Sequence, residues 1–105
     1  MQRGCLLMKV KQDRLEDYLA NHDVWPEMLQ ALTDAGVRNY TLFYRPNGMV
    51  VGYLEGEDVK GALRRVGETD VNGRWQEFMS QFFESGSGDL ESGGTEWLTE
   101  YFHID

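Results

Sequence analysis

The chain carries a single cysteine, Cys5, in 105 residues, so no intramolecular disulfide can form and no thiolate-rich zinc site can be assembled. Histidine is nearly as scarce. His22 and His103 are the only imidazoles, and their wide separation argues against a dedicated transition-metal centre. No Gly-x-Gly-x-x-Gly or Gly-Lys-Ser/Thr loop is present, so nucleotides have no recognisable cradle. Neither metal nor cofactor is expected, and any chemistry falls to ordinary side chains. Positive charge is also short, with 10 Lys and Arg against 18 Asp and Glu and a formal net charge of −8. That balance lacks the basic stripe nucleic-acid binding requires and disfavours anionic membranes. No apolar run approaches the roughly 18 residues of a membrane helix. No charged-then-apolar leader is expected, and with one unpaired thiol the expected compartment is the cytoplasm.

What is present suits a globular fold: 41% of residues are hydrophobic and 12% aromatic, more than disordered chains carry. The length fits one domain spanning residues 1–105. Residues 4–10 form a short apolar run that reads as a buried strand, with Asp13 positioned to cap a following helix. Leu15, Tyr18, Leu19 and His22 fall at i, i+3, i+4 and i+7, one inward stripe of that helix. Pro26 lacks an N–H and restricts Trp25, so the helix breaks between His22 and Pro26. A second helix then starts with Pro26 in its first turn, carries Met28, Leu29 and Leu32 inward, and ends at Gly36.

Residues 37–45 alternate large β-formers on both faces, Tyr40, Leu42 and Tyr44 on one and Thr41 and Phe43 on the other. Pro46-Asn47-Gly48 is turn chemistry, and residues 49–54 return as the second arm of a hairpin. A short helix over 58–66 precedes a stronger one capped by Asp70, whose inward positions are Val71, Trp75, Phe78, Met79, Phe82 and Phe83. The Gly/Ser-rich stretch 85–94 is expected to be a mobile loop, with a last strand over 97–104. Strand, helix, strand, strand, helix, strand is the split β-α-β order of a ferredoxin-like α+β sandwich, an antiparallel sheet with helices on one face. Because the strands are apolar on both sides, the other face calls for cover, and a sheet-to-sheet homodimer supplies it.

Tyr18 and His22 lie one helical turn apart, and His22 sits at the negative end of the helix, where an imidazolium is favoured. A proton-transfer group suits that place, although a lone inward histidine serves equally as a hydrogen-bonded core residue. Tyr40 and Trp75 are amphipathic core positions that can also line a pocket. Glu55, Glu57 and Asp58 read as a solvated turn before a cation or acid/base site. Glu27 complements a helix dipole, and Cys5 acts as a small hydrophobe. His103 is a further titrating group near the C-terminus.

Taken together, Tyr18 with His22, Trp25-Pro26-Glu27-Met28, Asn39-Tyr40, Thr69-Asp70-Val71, Arg74-Trp75 and Phe102-His103 resemble the L-rhamnose mutarotase family. The likeness runs in order from Leu6 to Ile104. It implies an isomerase of the dimeric α/β-barrel type, free of metal and cofactor, that interconverts the anomers of a deoxy sugar. By matching positions, His22 would be the general acid, and Tyr18, Tyr40 and Trp75 would line the sugar pocket. The chain departs from the family where Gln76 replaces a second tryptophan after Trp75; helix geometry places Gln76 either at the pocket rim, tuning sugar specificity, or in solvent. Two other readings share the architecture: a cofactor-independent monooxygenase or haem-related enzyme with His22 as base or ligand, and a non-catalytic sugar sensor.

Overall fold

A computed structural model describes residues 1–84 and 95–105; the loop expected over 85–94 lies outside them. Four strands, β1 (Gln2–Lys9), β2 (Arg38–Tyr44), β3 (Met49–Gly56) and β4 (Glu96–Leu98), form one sheet in the order β2-β3-β1-β4. Every pairing is antiparallel. Helices α1 (Leu15–Asn21), α2 (Pro26–Ala35), α3 (Val59–Gly67) and α4 (Asp70–Met79) occupy the connections. The first and third strands are thus adjacent with the hairpin partner outside, the split β-α-β arrangement of the ferredoxin-like fold.

Alternation along the strands decides what is core. Leu6 and Met8 on β1 and Val50 and Leu54 on β3 point to the helices and are buried. Val59, Ala62, Leu63 and Val66 of α3 and Val71, Trp75 and Met79 of α4 close over them. On the opposite face the register lays Phe43, Val51 and Leu7 in one cross-strand row and Thr41, Tyr53, Cys5 and Leu98 in the next. Phe43 is 60% exposed there.

Several local expectations are corrected. Asp13 caps nothing. It lies in a 3-10 turn, Gln12–Arg14, whose backbone bond from Arg14 N to Lys11 O (2.9 Å) makes the entry to α1 without a side-chain cap. The cap of α4 is Thr69, whose hydroxyl accepts from Asn72 N at 3.2 Å, and Asp70 instead pairs with Arg74 one turn on. Phe82 and Phe83 are buried but beyond the helix, because Lys11 N donates to Phe82 O (2.8 Å) and Phe83 bridges Val10. Leu19 and Leu29 are exposed rather than inward: seven-residue α1 turns Leu15 and Tyr18 to the core, and Leu29 stands at the mouth of a cavity. The last strand is only Glu96–Leu98, and beyond it the chain leaves the sheet edge, held by Arg3 to Glu100 at 2.7 Å.

Candidate active site

Between the helices and the β2 side of the sheet lies a cavity of about 190 Å³. Side chains of α1, α2 and α4 and of strands β1 and β2 build it. α1 stops at Asn21, leaving His22 as its C-terminal cap with φ −83° and ψ 58°, its N–H donating to Leu19 O at 3.4 Å. Pro26 forces the stop a few residues on: Trp25 takes the extended conformation, φ −60° and ψ 142°, that a residue before proline requires, and α2 begins with Pro26. The kinked connection turns His22, Val24 and Trp25 toward the interior. Tyr18, one turn earlier on α1, meets the His22 ring edge-on at 5.3 Å between centroids, and Trp75 of α4 meets it from the other side at 5.7 Å. Trp25 backs Trp75 at 5.1 Å. The imidazole is therefore held between a phenol and an indole.

The floor comes from the sheet. Tyr40 and Leu42 of β2 lie on its helix side, across from Gly52 of β3. A Cβ at Gly52 would crowd Leu42 and Leu6 at 3.2 Å and touch Tyr40 Cε1 at 3.4 Å, so the bare backbone there lets these side chains, and the Tyr40 ring beside them, pack over the sheet. Met8, Met28, Leu32, Met79 and Phe83 complete the apolar wall. Such a cavity, mostly hydrophobic with a few convergent polar groups, has the character of a small-molecule site.

Burial sets the electrostatics. It lowers the His22 pKa below its ordinary 6.5, only partly offset by a backbone hydrogen bond that favours the charged ring. The neutral imidazole is thus the resting form, against the expectation that the helix terminus would favour the cation: desolvation outweighs the dipole. Burial likewise pushes the Tyr18 phenol up to about 12 and raises Tyr40 still further, with a contribution from neighbouring Tyr18. Both phenols keep their protons at neutral pH. Among the described residues lining the cavity there is no carboxylate, ammonium or guanidinium, so the groups able to move or hold a proton are His22, Tyr18 and Tyr40.

The structure brings together all five residues singled out in the sequence: Tyr18, His22, Tyr40, Trp75 and Gln76 line this one cavity. Gln76 reaches it half-buried, its amide donating to Asn72 Oδ1 at 3.4 Å. The other titrating groups lie elsewhere. Asp58 caps α3 through Gly61 N (3.1 Å), Glu55 accepts from Tyr53 and Asn39 on the opposite sheet face, and His103 pairs with Asp105 at 2.8 Å in the C-terminal tail. Glu27 forms a surface pair with Arg74. Sequence reasoning missed Gly52 and the Met8, Met79 and Phe83 wall as pocket features; only the sheet register, which places Gly52 opposite Leu42, could have pointed to the first.

A ferredoxin-like α+β fold with an aromatic cavity between sheet and helices, lined by one imidazole and two phenols, has the form of a small-molecule site able to handle protons. Comparison with known proteins narrows the class. The family model described as L-rhamnose mutarotase matches residues 3–104. The chain is 34% identical to the L-rhamnose mutarotase of Oceanobacillus iheyensis and 35% identical to that of Bacillus subtilis, each over the whole of both chains. It belongs to the L-rhamnose mutarotase family. Among solved structures, an L-rhamnose mutarotase from Formosa agariphila superposes over all of both chains with a TM-score of 0.81 at 22% identity. A tetracenomycin F2 cyclase from Streptomyces glaucescens shares the fold at a TM-score of 0.63 and 16% identity.

Proposed function

We propose that this protein interconverts the α and β anomers of L-rhamnose or a closely related deoxy sugar, with His22 as the proton-transfer residue. The observation that carries the reading is the convergence of His22, Tyr18 and Tyr40 on one mostly apolar cavity in a chain of this family. Opening a pyranose removes the proton from the anomeric hydroxyl, breaks the bond between C1 and the ring oxygen, makes C1 a carbonyl and adds a proton to the ring oxygen. Rotation about C1–C2 and reclosure on the other face give the second anomer. A neutral His22 takes the hydroxyl proton in opening and, as imidazolium, returns it in closure, so it is base in one half and acid in the other. The protonated Tyr18 phenol is suited to donate to the ring oxygen, directly or through water, and Tyr40 to hold a sugar hydroxyl. Trp75 and the methionine wall match the methyl group and C–H faces of a deoxy sugar, while Gln76 offers an amide to a hydroxyl.

The same reading extends to assembly and place. Two copies packed through their open sheet faces would bury the Phe43–Val51–Leu7 row, and a homodimer is the state we assign. An unpaired thiol at Cys5 fits a reducing compartment, and the cytoplasm is where we place the enzyme. No helix among the described residues is long and apolar enough to cross a membrane. Proton NMR exchange spectroscopy on L-rhamnose tests the function: protein-dependent transfer between the two anomeric proton signals is expected. Sugar binding without any acceleration of transfer would refute it.

A further inference from the structure

The Tyr40 side chain leaves the sheet at a break in its regularity. β2 and β3 pair Arg38 with Glu55 and Thr41 with Tyr53, so two residues, Asn39 and Tyr40, stand opposite the single Leu54. This is a β-bulge, and its first residue, Asn39, has φ +48°, the left-handed region that asparagine tolerates better than most residues. A bulge bends and twists its strand and so re-aims the side chain beside it. Here that side chain is Tyr40, entering the cavity over Gly52.

On the opposite face of the sheet the bulge is clamped. Asn39 Nδ2 donates to Glu55 Oε1 at 2.7 Å, and the Tyr53 hydroxyl donates to Glu55 Oε2 at 2.6 Å. The Thr41 hydroxyl closes the bulge from the other side, donating to Asn39 O at 3.2 Å. None of Asn39, Tyr53 or Glu55 lines the cavity, yet their bonds fix the one backbone irregularity from which a cavity phenol springs. We propose that Asn39 and Glu55 are positioning residues for Tyr40, holding from the far face of the sheet the angle at which its phenol enters the sugar site. The geometric part stands on the bulge alone; its consequence for catalysis rests on the function proposed above.

Glu55→Ala removes the clamp, and Asn39→Val puts a β-branched residue at a positive φ. Glu55→Gln keeps an oxygen for the Asn39 amide and an NH₂ for the Tyr53 oxygen. In protein carrying ¹³C-labelled tyrosine, with Tyr40 assigned through Tyr40→Phe, the ring signal of Tyr40 should be displaced in folded Glu55→Ala and Asn39→Val and return in Glu55→Gln. In the exchange assay Glu55→Ala should raise KM for the sugar about tenfold with a smaller change in kcat, and Glu55→Gln should recover most of that loss. A Tyr40 signal unmoved in folded Glu55→Ala and Asn39→Val overturns the proposal. A displaced signal together with no anomer exchange by the unmodified protein upholds the positioning and overturns the mutarotase reading instead.

Discussion

Where His22 is held, more than what it is bonded to, sets its protonation. Desolvation between Tyr18 and Trp75 lowers its pKa below 6.5, so at pH 7 the ring is mostly neutral and ready to accept a proton. Acidification converts it to imidazolium and removes the base. kcat/KM for anomer exchange should therefore be flat through neutrality and fall on the acid side with a midpoint below 6.5, which a pH–rate profile measures; a midpoint above 6.5 would contradict the burial argument. At this scale the sequence was informative because helix geometry is rigid: a four-residue spacing puts Tyr18 beside His22, and both lie as that spacing requires. Gln76 is the instructive difference. Consecutive helical residues point about 100° apart, so the rim position follows from Trp75, whereas its bond to Asn72 depends on a rotamer no spacing reveals. The sign of the His22 shift was illegible too, since the helix terminus and Tyr18 are visible in sequence, whereas the approach of Trp75 from α4, which completes the burial of the imidazole, is a tertiary contact.

Elements were legible where the chain punctuates itself. Pro26 and Gly36 bracket α2 as expected, Gly36 ending the helix in the left-handed conformation at φ +100° while its N–H bonds Thr33 O at 3.1 Å. Boundaries failed where tertiary contacts decide: Asp13 loses its cap to a 3-10 turn, and Phe82 and Phe83 are drawn from the α4 rhythm by pairing with the end of β1. The final strand stops at Leu98 although its sequence runs on in β-formers, because a strand needs a partner and the chain departs from β1 there. Two alanine substitutions separate backbone strain from helix propensity. Gly36→Ala forces an L side chain into a positive φ and should cost about 1–2 kcal/mol. Gly73→Ala, in the exposed middle of α4 with nothing within 4 Å of the added Cβ, should gain about 0.4–1 kcal/mol. Thermal unfolding checks both, with Tm moving about 4–8 °C per kcal/mol in opposite directions; a shift of the same sign in the two variants would refute the assignment.

For the whole molecule, the sheet has two faces with different fates. The helix side closes over a core and leaves one aromatic cavity, while the other side leaves Phe43 60% and Leu98 41% exposed. The charged row of Arg38, Glu55 and Arg3 borders those apolar rows, a rim of both signs suited to a self-complementary contact. Light scattering at micromolar concentration should give twice the chain mass, and Phe43→Glu, which sets two carboxylates into the contact, should weaken the dimer at least tenfold; a monomer mass for the unmodified protein would contradict the assembly. The two-faced sheet was legible from the strand pattern and the polar and aromatic lining of the cavity from the family resemblance, but the shape of the cavity was not: it depends on the bulge at Asn39, the bare backbone at Gly52 and the turn after His22. If His22, in that cavity, moves the proton that opens the sugar ring, the unmodified protein and folded His22→Ala must differ in anomer exchange of L-rhamnose. Saturation transfer between the anomeric signals should be accelerated by the first and reduced by ~10² or more in the second, the contribution of one proton-transfer group. Equal rates in the two would contradict the account.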